Sequence, residues 1–187
     1  MFLSEFNQLY VAHPQVKKTV EWSKSAEQNL QISGLNASAR AFVLSCVYGE
    51  FDKTQVIIAN DDDEAAYLYN DLRQILSVEN VYFFPSSYKK AIKITSLDTA
   101  NQILRTEVLN KLANHQNHCI IVTYPEAVLQ KTVSLQCIQN QSLKLRTGES
   151  TGIDFLSEVL FDYGFERVDF VYEPGQFSIR EIGRAHV

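Results

Sequence analysis

The sequence predicts an α/β fold, a parallel sheet flanked by helices, followed by a partial, smaller α+β domain. The first observation is that short apolar runs rich in β-branched residues alternate with segments of helical periodicity between residues 29 and 131. Strands that alternate with helices favour parallel pairing. The second is that this alternation stops near residue 131, after which two strands follow a single helix without a helix between them. We therefore expect one domain over 1–131, with a helical N-terminal lead, and another over 132–180.

Composition and charge narrow the class of protein. The 187 residues are 45% hydrophobic and 11% aromatic, which is ample for a packed core. The net charge of −5 gives no overall signature of nucleic-acid binding. Cys46, Cys119 and Cys137 are widely spaced in apolar contexts and predict reduced core residues, not disulfides or metal ligands. Because there is no basic leader and no apolar run of about 20 residues, we expect a cytoplasmic protein without membrane contact.

Each element of the first domain is predicted by its own local signal. Residues 1–28 predict two short helices separated at His13-Pro14, because the residue before a proline disfavours helix. The β-branched run at 55–59 predicts a buried strand, and the acidic stretch 60–64 predicts a helix start. The remaining predictions are a strand at 30–33, a helix at 38–48, a helix ending at 76, a strand at 81–84, a helix at 96–113, a strand at 119–123 and a helix at 125–130.

The second domain is predicted from fewer elements. Residues 142–146 alternate as a strand with an exposed face, which Thr147-Gly148 ends. Residues 153–163 have the spacing of an amphipathic helix, and Gly164 is placed to cap its C-terminus. Two strands, 167–172 and 176–180, are then expected on either side of a Glu-Pro-Gly turn, as a hairpin.

Residues 30–41 suggest a strand, a tight loop and a helix, which is the layout of a phosphate-binding P-loop, G-x-x-x-x-G-K-[ST]. Gly34 matches the first glycine, whereas Ala39, Arg40 and Ala41 stand at the second glycine, the lysine and the hydroxyl residue. Ala41 has no oxygen to hold Mg²⁺, and the forked guanidinium of Arg40 does not replace a lysine. The stretch therefore predicts either a plain turn before a helix or a degenerate nucleotide site.

Two other stretches could carry function. The acidic run 61–64 could bind Mg²⁺, but a solvated helix N-terminus is the preferred interpretation, since the helix dipole favours acidic residues there. The three lysines within 89–93, next to Ser86-Ser87, could contact a nucleic-acid backbone, although a solvated loop is preferred. We expect no catalytic residue and no metal site in this chain.

Residues 161–180 carry a more specific signal. Their order, Tyr-Gly-Phe-x-Arg-Val-Asp followed by Glu-Pro-Gly-Gln-Phe-Ser-Ile-Arg, resembles a stretch in the N-terminal module of bacterial transcription-repair coupling factors. The related segment of the excinuclease subunit UvrB has the same general pattern of residues. Three further features occur along the chain in the same order as in that family: the glycine loop at Gly34, the turn at 124–127 and the pair Gly148-Glu149. The resemblance covers roughly 25–180 and favours the degenerate P-loop over the plain turn.

This resemblance implies a fold and a set of partners. The first domain would be a P-loop NTPase-like domain related to helicases, without a cofactor of its own. The second would dock on the damage-recognition ATPase UvrA. The parent protein would also bind RNA polymerase and would use ATP and Mg²⁺ in a separate DNA translocase. The N-terminal module would be held against a C-terminal domain until polymerase engagement releases it.

The resemblance also implies which residues contact UvrA. Arg167 and Arg180 match family arginines on the expected hairpin, while a further arginine of UvrB falls at Ser178. Phe177 could add an apolar contact, although core packing is the preferred role for this side chain.

Residues 181–187 depart from the family. They resemble the in-frame translation of a sequencing adapter, so we expect an artefactual tail. Two alternatives to an adaptor stay open from the sequence: an active P-loop ATPase and a DNA-binding module.

Overall fold

The computed structural model describes residues 3–25, 29–76, 78–88, 98–114, 118–140, 143, 145–146, 148, 151–173 and 175–179. The chain divides into two compact units, Met1–Val133 (unit 1) and Ser134–Val187 (unit 2), and each is described by itself. The described helices of unit 1 are α1 Leu3–Ala12, α2 Pro14–Ser25, α3 Ala39–Glu50, α4 Asp62–Ile75, α5 Thr99–Ala113 and α6 Pro125–Val128. Its described strands are β1 Gln55–Ile58, β2 Val81–Phe84 and β3 Ile120–Thr123, and a 3-10 turn, Val78–Asn80, precedes β2.

The described strands of unit 1 form a parallel sheet in the order β1-β3-β2, which confirms the predicted α/β class. In its register Ile57 lies level with Val122, and Val122 with Phe83. Helix α4 links β1 to β2, and α5 lies between β2 and β3 in the chain. A crossover helix between parallel strands is what this pairing requires.

The two faces of this sheet are covered differently. Helices α3 and α4 cover one face, where Leu72 and Val122 are fully buried in the main core. On the other face α5 packs on β2, and Val108 contacts Ile121 in a smaller core.

Strand β1 is only half buried, so the expectation of a buried strand at 55–59 is wrong for alternate residues. Val56 and Ile58 are 59% and 58% exposed. The reason is that β1 lies at an edge of the described sheet, and α5 packs on β2 at the opposite edge.

The N-terminal helices pack on α3. Their break at His13 is confirmed, since α1 ends at Ala12 and α2 begins at Pro14. The Phe42 ring lies 5.0 Å from that of Phe6 and 4.8 Å from that of Tyr10, between ring centroids.

The predicted strand at 30–33 is wrong. Residues 29–36 belong to no strand, and Leu30 and Ile32 are 41% and 46% exposed. Alternating apolar residues predicted the strand, but Ile32 faces a groove shared with α1 and α2 and pairs with no described strand.

In unit 2, helix α8 Ile153–Asp162 confirms the predicted amphipathic helix and its end. Gly164 has φ +78°, a conformation that glycine adopts without strain. Its N–H donates to the Phe161 carbonyl, and the Phe165 N–H donates to the Leu160 carbonyl, both at 2.9 Å. This pair of bonds is a Schellman C-cap.

One further expectation for unit 2 is wrong, and one helix was not predicted. Of the predicted strand 142–146, the described residues 143, 145 and 146 lie in no strand. The sequence analysis missed helix α7 Leu135–Asn140, although Ser134 signals its start: the Ser134 hydroxyl accepts the Cys137 N–H at 3.3 Å.

The expected hairpin is also wrong. Strands β4 Glu166–Arg167 and β5 Gln176–Phe177 have two residues each and pair in parallel, with Arg167 level with Phe177. The described residues between these strands, 168–173 and 175, lie in no strand, and the parallel pairing excludes a hairpin. Arg180 and the tail 181–187 lie outside the described residues.

Candidate functional site

The loop before α3 is tightly folded on itself. Gly34 has φ +83°, and Ala37 is a rare non-glycine residue with positive φ, +47°. The Ala39 N–H donates to the Asn36 carbonyl at 3.1 Å, and the Arg40 N–H donates to the Ala37 carbonyl at 3.4 Å. In a P-loop, backbone amides of this segment point at a phosphate. Here two of them are used inside the loop.

Gly34 and Ala39 border a groove of about 600 Å³ between the loop, α1, α2 and α3. Its lining is mostly apolar and, among the described residues, includes no lysine or arginine: Phe6, Leu9, Tyr10, His13, Gln15, Val16, Thr19, Ile32, Ser33, Gly34, Leu35, Ala39 and Val43. A phosphate group needs charged or well-aligned polar donors, which this groove does not concentrate.

Arg40 points away from this groove. Its Nη1 donates to Oε1 of Glu64, in the first turn of α4, and Oε2 of Glu64 accepts the Asn60 N–H at 2.8 Å. These bonds, first that from Asn60 and then that from Arg40, hold the pKa of Glu64 below its usual range. Arg40 thus ties the start of α3 to the start of α4.

A cleft of about 490 Å³ lies beside this ion pair and is mainly acidic. Its described lining carries four carboxylates and one guanidinium: Ala37, Ser38, Arg40, Asp61, Asp63, Glu64, Tyr67, Leu68 and Asp71. The Asp61 side chain accepts the Glu64 N–H at 2.8 Å, so the acidic run is a capped helix start, as preferred from the sequence. In the described ranges, no three Asp, Glu, His or Cys residues are arranged to hold a metal ion.

The four residues of the predicted nucleotide site are therefore not gathered around one cavity. Gly34 and Ala39 border the apolar groove, Arg40 borders the acidic cleft, and Ala41 is fully buried in the main core. The strand expected before the loop does not form, so the strand–loop–helix layout is wrong in its first element.

A buried arginine organises the carboxyl ends of β2 and β3. Arg105 is 5% exposed, and its Nη1 donates to the carbonyls of Pro85 at 2.7 Å and Ala127 at 3.0 Å. The guanidinium carbon lies 4.0 Å from the centroid of the Phe84 ring. Burial lowers the pKa of Arg105. The sequence analysis did not identify Arg105 as a buried residue. The spacing could have indicated it, because Arg105 lies three residues before Val108 and therefore on the same, buried face of α5.

Further hydrogen bonds hold the segment after β2. The Ser86 N–H donates to the Tyr124 hydroxyl at 2.8 Å, and the Ser87 N–H donates to Oε1 of Gln130 at 2.8 Å. Nδ2 of Asn101 donates to the Ser86 carbonyl at 2.9 Å. Ser86-Ser87 is thus part of the framework, while the three lysines within 89–93 lie outside the described residues.

In unit 2 the structure brings two of the predicted partner-binding residues together. Arg167 is exposed on β4, and Phe177 lies beside it in the two-residue ladder. The Phe177 ring is half-buried and meets the Phe161 ring edge-to-face, with centroids 5.3 Å apart. Phe177 therefore packs against α8, as preferred from the sequence, and Arg167 is available to a partner.

The fold and this site define an α/β protein with a second, smaller unit and an exposed arginine on it. No protein-family model matches the chain. The chain is 27% identical over 150 residues to the transcription-repair-coupling factor of Bacillus subtilis, which covers 80% of this chain and 13% of that protein. It is 26% identical over 155 residues to the transcription-repair-coupling factor of a Staphylococcus aureus strain, covering 82% and 13%.

A second kind of relative carries a different name. The chain is 25% identical over 178 residues to UvrABC system protein B of Methanosarcina acetivorans, covering 88% of this chain and 26% of that protein. The resemblance to both groups is thereby confirmed, and the name of the first group refers to the coupling of transcription and repair. The chain spans only about an eighth to a quarter of the length of these proteins. None of its described helices is long and apolar enough to cross a membrane.

Proposed function

We propose that this chain is a non-catalytic adaptor module of transcription-coupled nucleotide excision repair, which recruits the damage-recognition ATPase UvrA. The observation that carries the proposal is that more than three quarters of the chain matches both a coupling factor and UvrB. A segment common to two differently named repair proteins suits a partner that both must bind. UvrA, a further component of the UvrABC system, is that partner.

The chemistry of unit 1 supports an adaptor over an ATPase. ATP carries several negative charges, and the described residues of 34–41 border an apolar groove and a cleft with an excess of carboxylates. Ligands of open α/β sheets usually bind at the carboxyl ends of the strands. At β2 and β3 that edge is tied together by Arg105 and Tyr124.

Arg167 is the proposed contact that the structure describes, with Arg180 as the second. An exposed guanidinium is always charged and can form two parallel hydrogen bonds with a carboxylate. Arginine is also enriched among interface residues whose truncation costs about 2 kcal/mol or more. Phe177, which is level with Arg167 in the ladder, would support this contact through its packing on Phe161.

The rest of the activity belongs to parts of a longer protein. We propose that the parent is an ATP-dependent DNA translocase that displaces stalled RNA polymerase, with ATP and Mg²⁺ bound outside this chain. In that parent, a C-terminal domain would cover this module until polymerase engagement exposes it.

A calorimetric titration of purified UvrA with the 187-residue chain tests the proposal. Wild-type chain should bind, and Arg167→Ala should weaken the affinity about 30-fold, corresponding to about 2 kcal/mol. Arg146→Ala, at another exposed arginine of unit 2, is the matched control and should bind like wild type. Far-UV circular dichroism confirms that each variant is folded.

Two results would contradict the proposal. Wild-type chain that shows no affinity for UvrA would remove the adaptor function. Salt-dependent binding of the chain to duplex DNA, without affinity for UvrA, would favour the DNA-binding alternative.

A further inference from the structure

Three consecutive apolar residues in the β4–β5 loop are all exposed. Phe170, Val171 and Tyr172 are 58%, 54% and 84% exposed. In an extended strand on a core, alternate side chains would be buried, but none of these three is. A contiguous apolar surface rimmed by polar residues is typical of an interaction site. We call these three residues the apolar tip.

The backbone of the loop is fixed on both sides of the apolar tip. Oε1 of Gln176 accepts the N–H groups of Tyr172 at 3.0 Å and of Glu173 at 3.2 Å. On the other side, the Ser178 hydroxyl donates to the Asp169 carbonyl at 3.0 Å. A loop held in this way loses little conformational entropy when a partner binds.

The aromatic rings of the tip form one surface. The ring centroids of Phe170 and Tyr172 lie 6.5 Å apart with a tilt of 44°. Large, rigid aromatic side chains supply contact area at a low cost in rotamer entropy, which is why tyrosine is enriched at the centres of interfaces.

The charges around the tip indicate the chemistry of its partner. Asp169 and Glu173 flank the tip directly, and Glu166 lies on β4; all three are exposed. Arg167, three positions before Phe170 in the chain, is a positive charge that is also exposed. A complementary surface would present an apolar pocket with lysine or arginine at its rim, and a carboxylate opposite Arg167.

We propose that the apolar tip inserts into an apolar, basic-rimmed pocket on the protein that unit 2 binds, and that Tyr172 is its anchor. This inference rests on the proposed function, because the occupant is the same partner, UvrA. The tip supplies the buried centre of the interface, and Arg167 supplies a charged contact at its rim. The sequence predicted only a strand for Phe170, Val171 and Tyr172 and assigned no partner contact to them.

The same calorimetric titration of the 187-residue chain into UvrA tests the inference with other variants. Tyr172→Ala should weaken the affinity at least tenfold, because it removes the most exposed ring of the tip. Tyr67→Ala is the matched control: Tyr67 is 75% exposed on α4 of unit 1, and its loss should leave the affinity unchanged. Asp169→Lys should weaken binding through repulsion from a basic rim, and added salt should reduce the difference.

The outcomes separate this inference from the proposed function. If wild-type chain does not bind UvrA, both are overturned. If it binds, and Arg167→Ala weakens binding while Tyr172→Ala does not, only the apolar tip is overturned. A chain that sediments as a dimer, and that Tyr172→Ala converts to a monomer without changing affinity for UvrA, would assign the tip to a second copy of the chain.

Discussion

Helices α4 and α8 have similar sequence patterns but different surroundings. Both are amphipathic, and both have ends that the sequence predicts. Helix α4 buries Ala65, Leu68 and Leu72, whereas no side chain of α8 is buried. Periodicity shows which face of a helix is apolar, but burial depends on what the rest of the polypeptide or a partner places over that face.

The loop before α3 in unit 1 and the segment between β4 and β5 in unit 2 also differ in what they leave exposed. The loop before α3 uses its amides internally, and Arg40 next to it is paired with Glu64. The described residues between β4 and β5 are also held by side-chain hydrogen bonds, yet Phe170–Tyr172 are exposed. This contrast supports the proposal that unit 1 serves as a framework and unit 2 as a contact surface.

The largest expected difference is in the cost of removing a leucine. Leu72→Ala leaves a cavity in the main core and should lower the free energy of unfolding by about 3 kcal/mol. Leu156→Ala, at a half-buried position of α8, should cost about 1 kcal/mol or less. Urea unfolding followed by circular dichroism measures both. Equal losses would contradict the contrast between the two helices.

The second-largest loss in the free energy of unfolding is expected when the buried Arg105 of unit 1 is replaced. Arg105→Met keeps much of the apolar volume but leaves the carbonyls of Pro85 and Ala127 without these donors, at a cost of about 2 kcal/mol. Arg105→Lys should not restore stability, because an ammonium cannot reproduce the planar fork over Phe84. Lys111→Met, on the same helix, is the control. A fully stable lysine variant in urea unfolding would refute this role.

Gly164 tests the C-cap of α8. Gly164→Ala forces an alanine into φ +78° and should cost about 1 kcal/mol in unit 2. Gly49→Ala, inside α3, is the control: its φ is not positive, an added Cβ meets no atom within 4 Å, and alanine is the better helix former, so no loss of stability is expected. Thermal unfolding of the two variants compares them, and indistinguishable midpoints would argue against the cap.

The smallest effect is a dependence on pH at Glu64. Its pKa is lowered in the folded state, so its contribution is complete above the ordinary value of about 4.5 and is lost as pH falls through the lower folded pKa. Wild type should therefore be more stable than Glu64→Gln at pH 7, and the difference should shrink below about pH 4.5. Thermal midpoints from pH 7 to pH 3 give the comparison, with Glu158→Gln as an exposed control. A difference independent of pH would exclude this ionisation as the cause.

Local signals predicted most of the elements of unit 1. The apolar runs at β1, β2 and β3, the Asp61 cap and Pro125 at the start of α6 all act within a few residues of the element they specify. What sequence reasoning missed depends on distant partners. Leu30 and Ile32 alternate like a strand but pair with no strand of the described residues, and β4 and β5 pair in parallel although a Glu-Pro-Gly turn favoured a hairpin.

The candidate sites also divide into features that local sequence predicts and features that depend on distant residues. The substitutions at Ala39, Arg40 and Ala41 predicted a degenerate nucleotide site from residue chemistry alone, and that prediction has still to be tested. The pairing of Arg40 with Glu64 could not be predicted, because Glu64 lies 24 positions away in the chain. The spacing of Arg105 to Val108 could have indicated its burial, but the two carbonyls that it binds lie at least 20 positions away.

A titration of the 187-residue chain with ATP and Mg²⁺, followed by calorimetry, tests most directly whether residues 34–41 serve only as framework. No saturable binding is expected up to millimolar nucleotide, in wild type or in Arg40→Ala. Micromolar binding of ATP that is lost in Arg40→Ala would show a working phosphate site and would contradict the framework role.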